Sequence, residues 1–166
     1  ADDCDGGDAY MGLATGITEE LIGELDYGDV LADQIAYFAT ADAVATINAG
    51  ITEAGYTGSG IDVEGALMGW IISGTDLATA GPVDGATIST AAEVTCYYGD
   101  ADDSDGLFMT GGAVNTATDA DAMAFYVCPA APVNNYSATD TEGNSYYSIP
   151  GGSISGLAQF LRIPRM

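Results

Sequence analysis

Hydrophobic positions along this chain follow two rhythms, helical up to about residue 55 and strand-like beyond it. Thr18 followed by Glu19 and Glu20 reads as a helix start, with acids at the positive end of the helix dipole. Leu21, Ile22 and Leu25 supply its apolar side before Gly28 ends it. Asp29 then caps a second run in which Val30, Leu31, Ile35 and Phe38 recur at helical spacing. Thr40 and Asp42 start a third run or continue the second; Val44, Ile47 and Ile51 form its stripe, and Gly55 stands where a C-terminal cap belongs.

From Tyr56 the pattern turns to strands. Ile61, Val63 and then Leu67 to Ile72, with Trp70 inside the run, are apolar on both faces and mark the centre of a sheet. Gly81-Pro82-Val83-Asp84-Gly85 is a turn, with strands expected at Thr87–Thr90 and Glu93–Tyr98. An acidic turn and Leu107-Phe108-Met109 follow, then a Gly-rich loop over 111–120 and a returning strand from Met123 to Cys128. Residues 129–143 read as a Pro, Asn, Ser and Thr surface loop, and Tyr146 to Ile149 as one more strand stopped by Pro150. The tail from Leu157 is apolar. These elements predict an α+β fold: N-terminal helices over about 18–55 packed on an antiparallel sheet or sandwich over about 60–150, with one disulfide. Residues 1–16 form an extended acidic arm, and 17–166 a single globular domain of a size that buries a real core.

Charge changes the picture most. The chain carries 25 acidic side chains and two basic ones, Arg162 and Arg165, with no His, for a formal charge of −23. Internal salt bridges are therefore almost impossible, and the carboxylates must be relieved by water, helix N-termini, dissolved cations or protonation. Salt shortens the Debye length from about 10 Å near 0.1 M to about 3 Å near 1 M and so suppresses self-repulsion. Divalent cations neutralise clustered Asp directly, because hard ions take carboxylate oxygens. The chain has 18 Asp against 7 Glu, which favours turns and ion-ligating loops over solvated Glu-rich helices.

The candidate ion site is Asp100, Asp102, Asp103 and Asp105, which end in Gly106 and suggest Ca²⁺ bound by an irregular loop. EF-hand spacing fails, since the first ligand position falls on Ala101 and the twelfth on Gly112. Asp2, Asp3, Asp5 and Asp8 form a second acidic cluster, and Asp119 with Asp121 a third. Of the three cysteines, Cys96 and Cys128 lie in apolar strand-like segments and are expected to pair. Cys4 is then the candidate for an intermolecular bond. Asn135-Tyr136-Ser137 matches the N-glycosylation pattern and makes Asn135 a possible glycan acceptor.

The same composition excludes much chemistry. Without His or Lys there is no imidazole base, catalytic triad, Schiff-base lysine or His-bound zinc. No nucleotide-binding glycine motif occurs. The remaining option is carboxylate-only catalysis, and the reading favours a protein that is not an enzyme. Nucleic acid and anionic membranes are poor partners for so acidic a chain. No run is long enough to insert in a bilayer as a helix. The Ala-Asp-Asp-Cys start, without an initiator Met, points to export, hence to an extracellular or cell-surface location in which two of the cysteines would pair.

Two functions fit. The first is a structural subunit of an extracellular filament, pilus-like fibre or surface layer, self-assembling with copies of itself and stabilised by cations. Ten tyrosines, some of them facing outwards from strands, would serve its subunit contacts. The second is a secreted Ca²⁺-dependent adhesion or carbohydrate-binding module with Tyr or Trp70 as its sugar platform. The succession of N-terminal helix, antiparallel sheet and late disulfide loosely resembles the globular part of bacterial pilins, without the hydrophobic N-terminal helix that defines them.

Overall fold

In the computed structural model, residues 9–11, 13–14, 38–75 and 79–166 are described. Cys4, the Asp2–Asp8 cluster and the helical runs expected from Thr18 onwards lie outside them up to residue 37, and Phe38, expected to belong to the second run, is in a strand instead. Strand β1 (Ala9–Met11) pairs with β3 (Phe38–Thr40), and β2 (Leu13–Ala14) joins the main sheet. Helix α1 (Ala41–Glu53) begins where the sequence places it: the Thr40 hydroxyl accepts the Ala43 N–H at 3.2 Å. Val44, Ile47 and Ile51 form its buried stripe, and Gly55 ends it at φ +95°.

The main sheet has five strands in the order β2-β12-β4-β9-β6. At its centre β4 (Ala66–Ile72) runs antiparallel to β9 (Phe125–Pro129), which in turn pairs with β6 (Tyr97–Tyr98). On its other side β4 is parallel to β12 (Ala158–Pro164) over seven residue pairs. A second sheet has the order β11-β10-β5, built from Ile149–Gly151, Asn134–Thr139 and Thr87–Thr90. A small hairpin of β7 (Met109–Thr110) and β8 (Ala113–Val114) completes the set.

The layers follow from alternation along β4. Leu67 and Ile71 point to a core shared with the second sheet, including Tyr126, Tyr136, Leu161 and Ile163. Ala66 and Met68 point the other way, to a core closed by α1 with Phe108, Val127 and Phe160. The order is therefore helix, five-stranded sheet, three-stranded sheet, and the run that is apolar on both faces is indeed the sheet centre.

The fold is α+β, with corrections to the detail. Of the described helices, 41–53 falls within the expected helical range and 61–64 beyond it. Ile61 and Val63 belong to the short helix α2 (Ile61–Glu64), not to a strand. Gly60 and Gly65 bracket it at φ +104° and +78°, and Asn48 accepts the Ile61 N–H at 2.8 Å. The main sheet is mixed rather than antiparallel, because the apolar tail forms β12 beside β4. Residues 134–139 are a strand and not a loop; Tyr136 and Ala138 are buried while Asn135 and Thr139 are exposed. Of Glu93–Tyr98 only the tyrosine pair is a strand, and Tyr146 makes a single bridge to Arg165 before β11 starts at Ile149. Among the described residues no helix is long and apolar enough to cross a membrane.

Candidate functional site

The expected disulfide is present: Cys96 bonds to Cys128 across 32 positions of sequence. It ties the approach to β6 onto β9, with Cys128 fully buried. The chain leaving β6 at Tyr98 therefore starts its acidic turn from a fixed point.

That turn is organised by its own carboxylates. Asp100 accepts the Asp102 N–H at 2.9 Å and the Thr110 hydroxyl, and Asp102 accepts the Ser104 N–H at 3.1 Å. A 3-10 turn over Asp103–Asp105 follows. Asp105 accepts the Gly112 N–H at 2.9 Å, which fastens the β7–β8 hairpin to the turn. The Thr110 hydroxyl and then the Asp102 N–H hold the Asp100 carboxyl below its usual range.

Tertiary structure joins two clusters that are separate in sequence. Asp119 accepts the Asp121 N–H at 2.8 Å and reaches across to the Ala101 N–H at 3.4 Å. Asp100, Asp102, Asp105, Asp119 and Asp121 thus share one end of the main sheet, where β6 finishes and β9 begins. Among the described residues, no three acids or thiols are arranged to hold one metal ion. The Asp100, Asp102, Asp105 and Asp119 carboxylates each accept a backbone N–H, and Asp102 and Asp121 are exposed. Such an end can attract hard cations without enclosing one.

A third carboxylate centre at the same end carried no sequence label. Asp140, 8% exposed, accepts four hydrogen bonds: the Glu142 and Asn144 N–H groups at 3.0 Å each, Asn144 Nδ2 at 2.7 Å and the Tyr146 hydroxyl at 2.8 Å. The signal was the Asp-Thr-Glu-Gly-Asn run, an Asp-led turn sequence read only as loop. Beside this knot lies an open groove of ≈ 280 Å³ lined by Ser73, Asp84, Glu142 and Arg165, among others.

These bonds, that of Asn144 Nδ2 first, lower the Asp140 pKa from 3.8 to about 2. The folded value lies below the unfolded one, so this carboxylate contributes stability above about pH 4 that is lost as pH falls towards 2. In urea titrations at a series of pH values, Asp140→Asn should be less stable than the parent at pH 7 and converge on it near pH 2. A constant gap across that window would remove Asp140 as the titrating group.

The remaining candidates are scattered. Asn135 is exposed at the start of β10, opposite Pro150. Trp70 is half-buried, its ring stacked on Phe160 at 6.1 Å and tilted against Phe125 at 6.4 Å, so it is no open sugar platform. Tyr97 and Tyr98 are both buried because each face of the sheet has its own core. Among the described residues, Tyr147, 45% exposed, is the tyrosine turned outwards among the large exposed apolar side chains. The chain matches no protein-family model, and comparisons with curated proteins and with solved structures find no match either.

Proposed function

We propose that this chain is an exported structural subunit that assembles with copies of itself into an extracellular filament, pilus-like fibre or surface layer. It acts without catalysis, and cations stabilise the contacts between subunits. The observation that carries this reading is the gathering of separate Asp loops at one end of the sheet. With a formal charge of −23, two copies repel where their acidic ends approach unless an ion lies between them. An end rich in outward-facing carboxylate oxygen offers hard cations such as Ca²⁺ a place to bridge two copies. The Cys96–Cys128 disulfide supports an oxidising, extracellular setting.

The test is particle size by light scattering and negative-stain microscopy at fixed ionic strength, with Ca²⁺ and then with a chelator. Long assemblies that shorten on chelation are the expected result. Particles that never exceed a few copies in either condition would sink the proposal. The groove beside Asp140 favours a second reading, a Ca²⁺-dependent adhesion or carbohydrate-binding module, because Ser73, Thr141 and Glu142 line it with hydroxyl and carboxylate groups. Glycan-array binding by a monodisperse monomer would select that reading.

A further inference from the structure

The end of the sheet opposite the acidic loops carries a group of exposed apolar side chains. Strands β4 and β12 start there, at Ala66 and Ala158, and β9 finishes there at Pro129. Just outside them stand Val63 (51% exposed), Val133 (82%), Ile154 (65%) and Leu157 (44%). Backbone bonds hold the four on one end: Gly156 donates to the Val63 carbonyl at 3.1 Å, Leu157 to Ile154 at 2.8 Å, and Ser153 to Ala131 at 2.7 Å. Single exposed apolar residues are ordinary, but four side by side are not. Together they offer apolar surface on the order of 300–400 Å², within the range of patches that mark contact sites.

We infer that this apolar end is a self-association surface whose partner is the same end of a second copy, related by a two-fold axis. The reasoning rests on the self-assembling reading above and gives it a contact. Both copies are strongly acidic, so the favoured approach keeps their acidic loops far apart. End-to-end pairing through Val63, Val133, Ile154 and Leu157 does this, whereas head-to-tail docking would set apolar side chains on Asp100, Asp119 and their neighbours. Asp62 and Glu64, the acids flanking Val63, are engaged by Asn48 Nδ2 and by the Tyr56 hydroxyl. The four side chains would supply most of the apolar part of a standard interface, which buries about 800 Å² per partner, of which roughly 450 Å² is apolar. Apolar pairing at one end and cation bridging at the other would together propagate a linear assembly.

Sedimentation equilibrium in chelator, across a concentration series, separates the two contacts. The full chain should be a monomer–dimer mixture without Ca²⁺, and Ile154→Asp should weaken dimerisation at least tenfold. Ile154 is exposed, so the variant should keep the parent's circular dichroism spectrum. Met123→Asp, at an exposed position on the acidic end, should dimerise like the parent. A parent monomeric at every concentration, or a dimer indifferent to both Ile154→Asp and Val133→Asp, would overturn the inference. So would a monomer that co-sediments with neutral phosphatidylcholine vesicles, since lipid would then be the occupant. A dimer in chelator that fails to lengthen in Ca²⁺ would instead overturn the filament reading and leave this contact standing.

Discussion

Replacing Gly69 by alanine is expected to destabilise the protein by about 4 kcal/mol or more, a large part of the roughly 5–15 kcal/mol that holds a domain together. Gly69 lies in the middle of β4, between β12 and β9. A Cβ there would sit 1.9 Å from the Leu161 carbonyl oxygen and 2.7 Å from its carbonyl carbon, with φ at +156°. The obstacle is backbone, so no side-chain rotation relieves it. Leu161 cannot yield cheaply either, because its carbonyl accepts the buried Tyr126 hydroxyl at 2.9 Å. Alanine must therefore part the β4–β12 pair or lose that bond, and leaving it unmade costs about 1–3 kcal/mol in addition. Urea unfolding measures the effect, with Gly74→Ala as control because an added Cβ there meets nothing within 4 Å. A Gly69→Ala protein within about 1 kcal/mol of its parent would refute the close approach of the two central strands.

Removing the Cys96–Cys128 bond should have the next largest effect. Closing a loop of 32 residues is worth roughly 3–4 kcal/mol on the chain-entropy estimate. In a chain of this length that corresponds to a melting temperature lower by about 10 °C. Paired Cys96→Ala and Cys128→Ala substitutions keep both positions apolar, so the measured loss reports the cross-link more than a buried polar group. Calorimetry of the variant, and of the parent with reductant, should agree. A melting temperature unchanged in the double variant would mean that the core around Cys128 holds the strands without the bond. Because the acidic turn departs from β6 two residues beyond Cys96, the variant should also loosen that turn, seen as faster amide exchange at Asp102 and Ser104.

Short-range physics was legible in the residues themselves. Thr40 as a cap, the Val44-Ile47-Ile51 stripe and Gly55 as a stop specify α1, because capping and helical period act within a few positions. Leu67 to Ile72 declared a strand buried on both faces, since apolar residues at consecutive positions have no polar face to offer water. The strand-like settings of Cys96 and Cys128 sufficed to pair them. The acidic turn was legible as a turn, and its spacing set aside an EF-hand while leaving an irregular ion site open.

Other features depended on contacts between distant residues. The tail forms a central strand because Ala158–Pro164 lies beside Ala66–Ile72, about ninety positions earlier, and nothing local encodes that parallel choice. Residues 134–139 form a strand because Tyr136 and Ala138 meet a core on one side while β5 and β11 take their backbone groups. Composition alone made the same residues a loop. The union of Asp119 with the Asp100 turn, and the gathering of Val63, Val133, Ile154 and Leu157 at the opposite end, arise only when strand order and register place them. Sequence by itself thus determined the charge, the excluded chemistry, one helix, the central strand and the cross-link, all set by composition or by forces acting over a turn or two. Which acids and which apolar side chains stand together was decided by the tertiary structure, because pairing across a sheet depends on burial that no single segment carries.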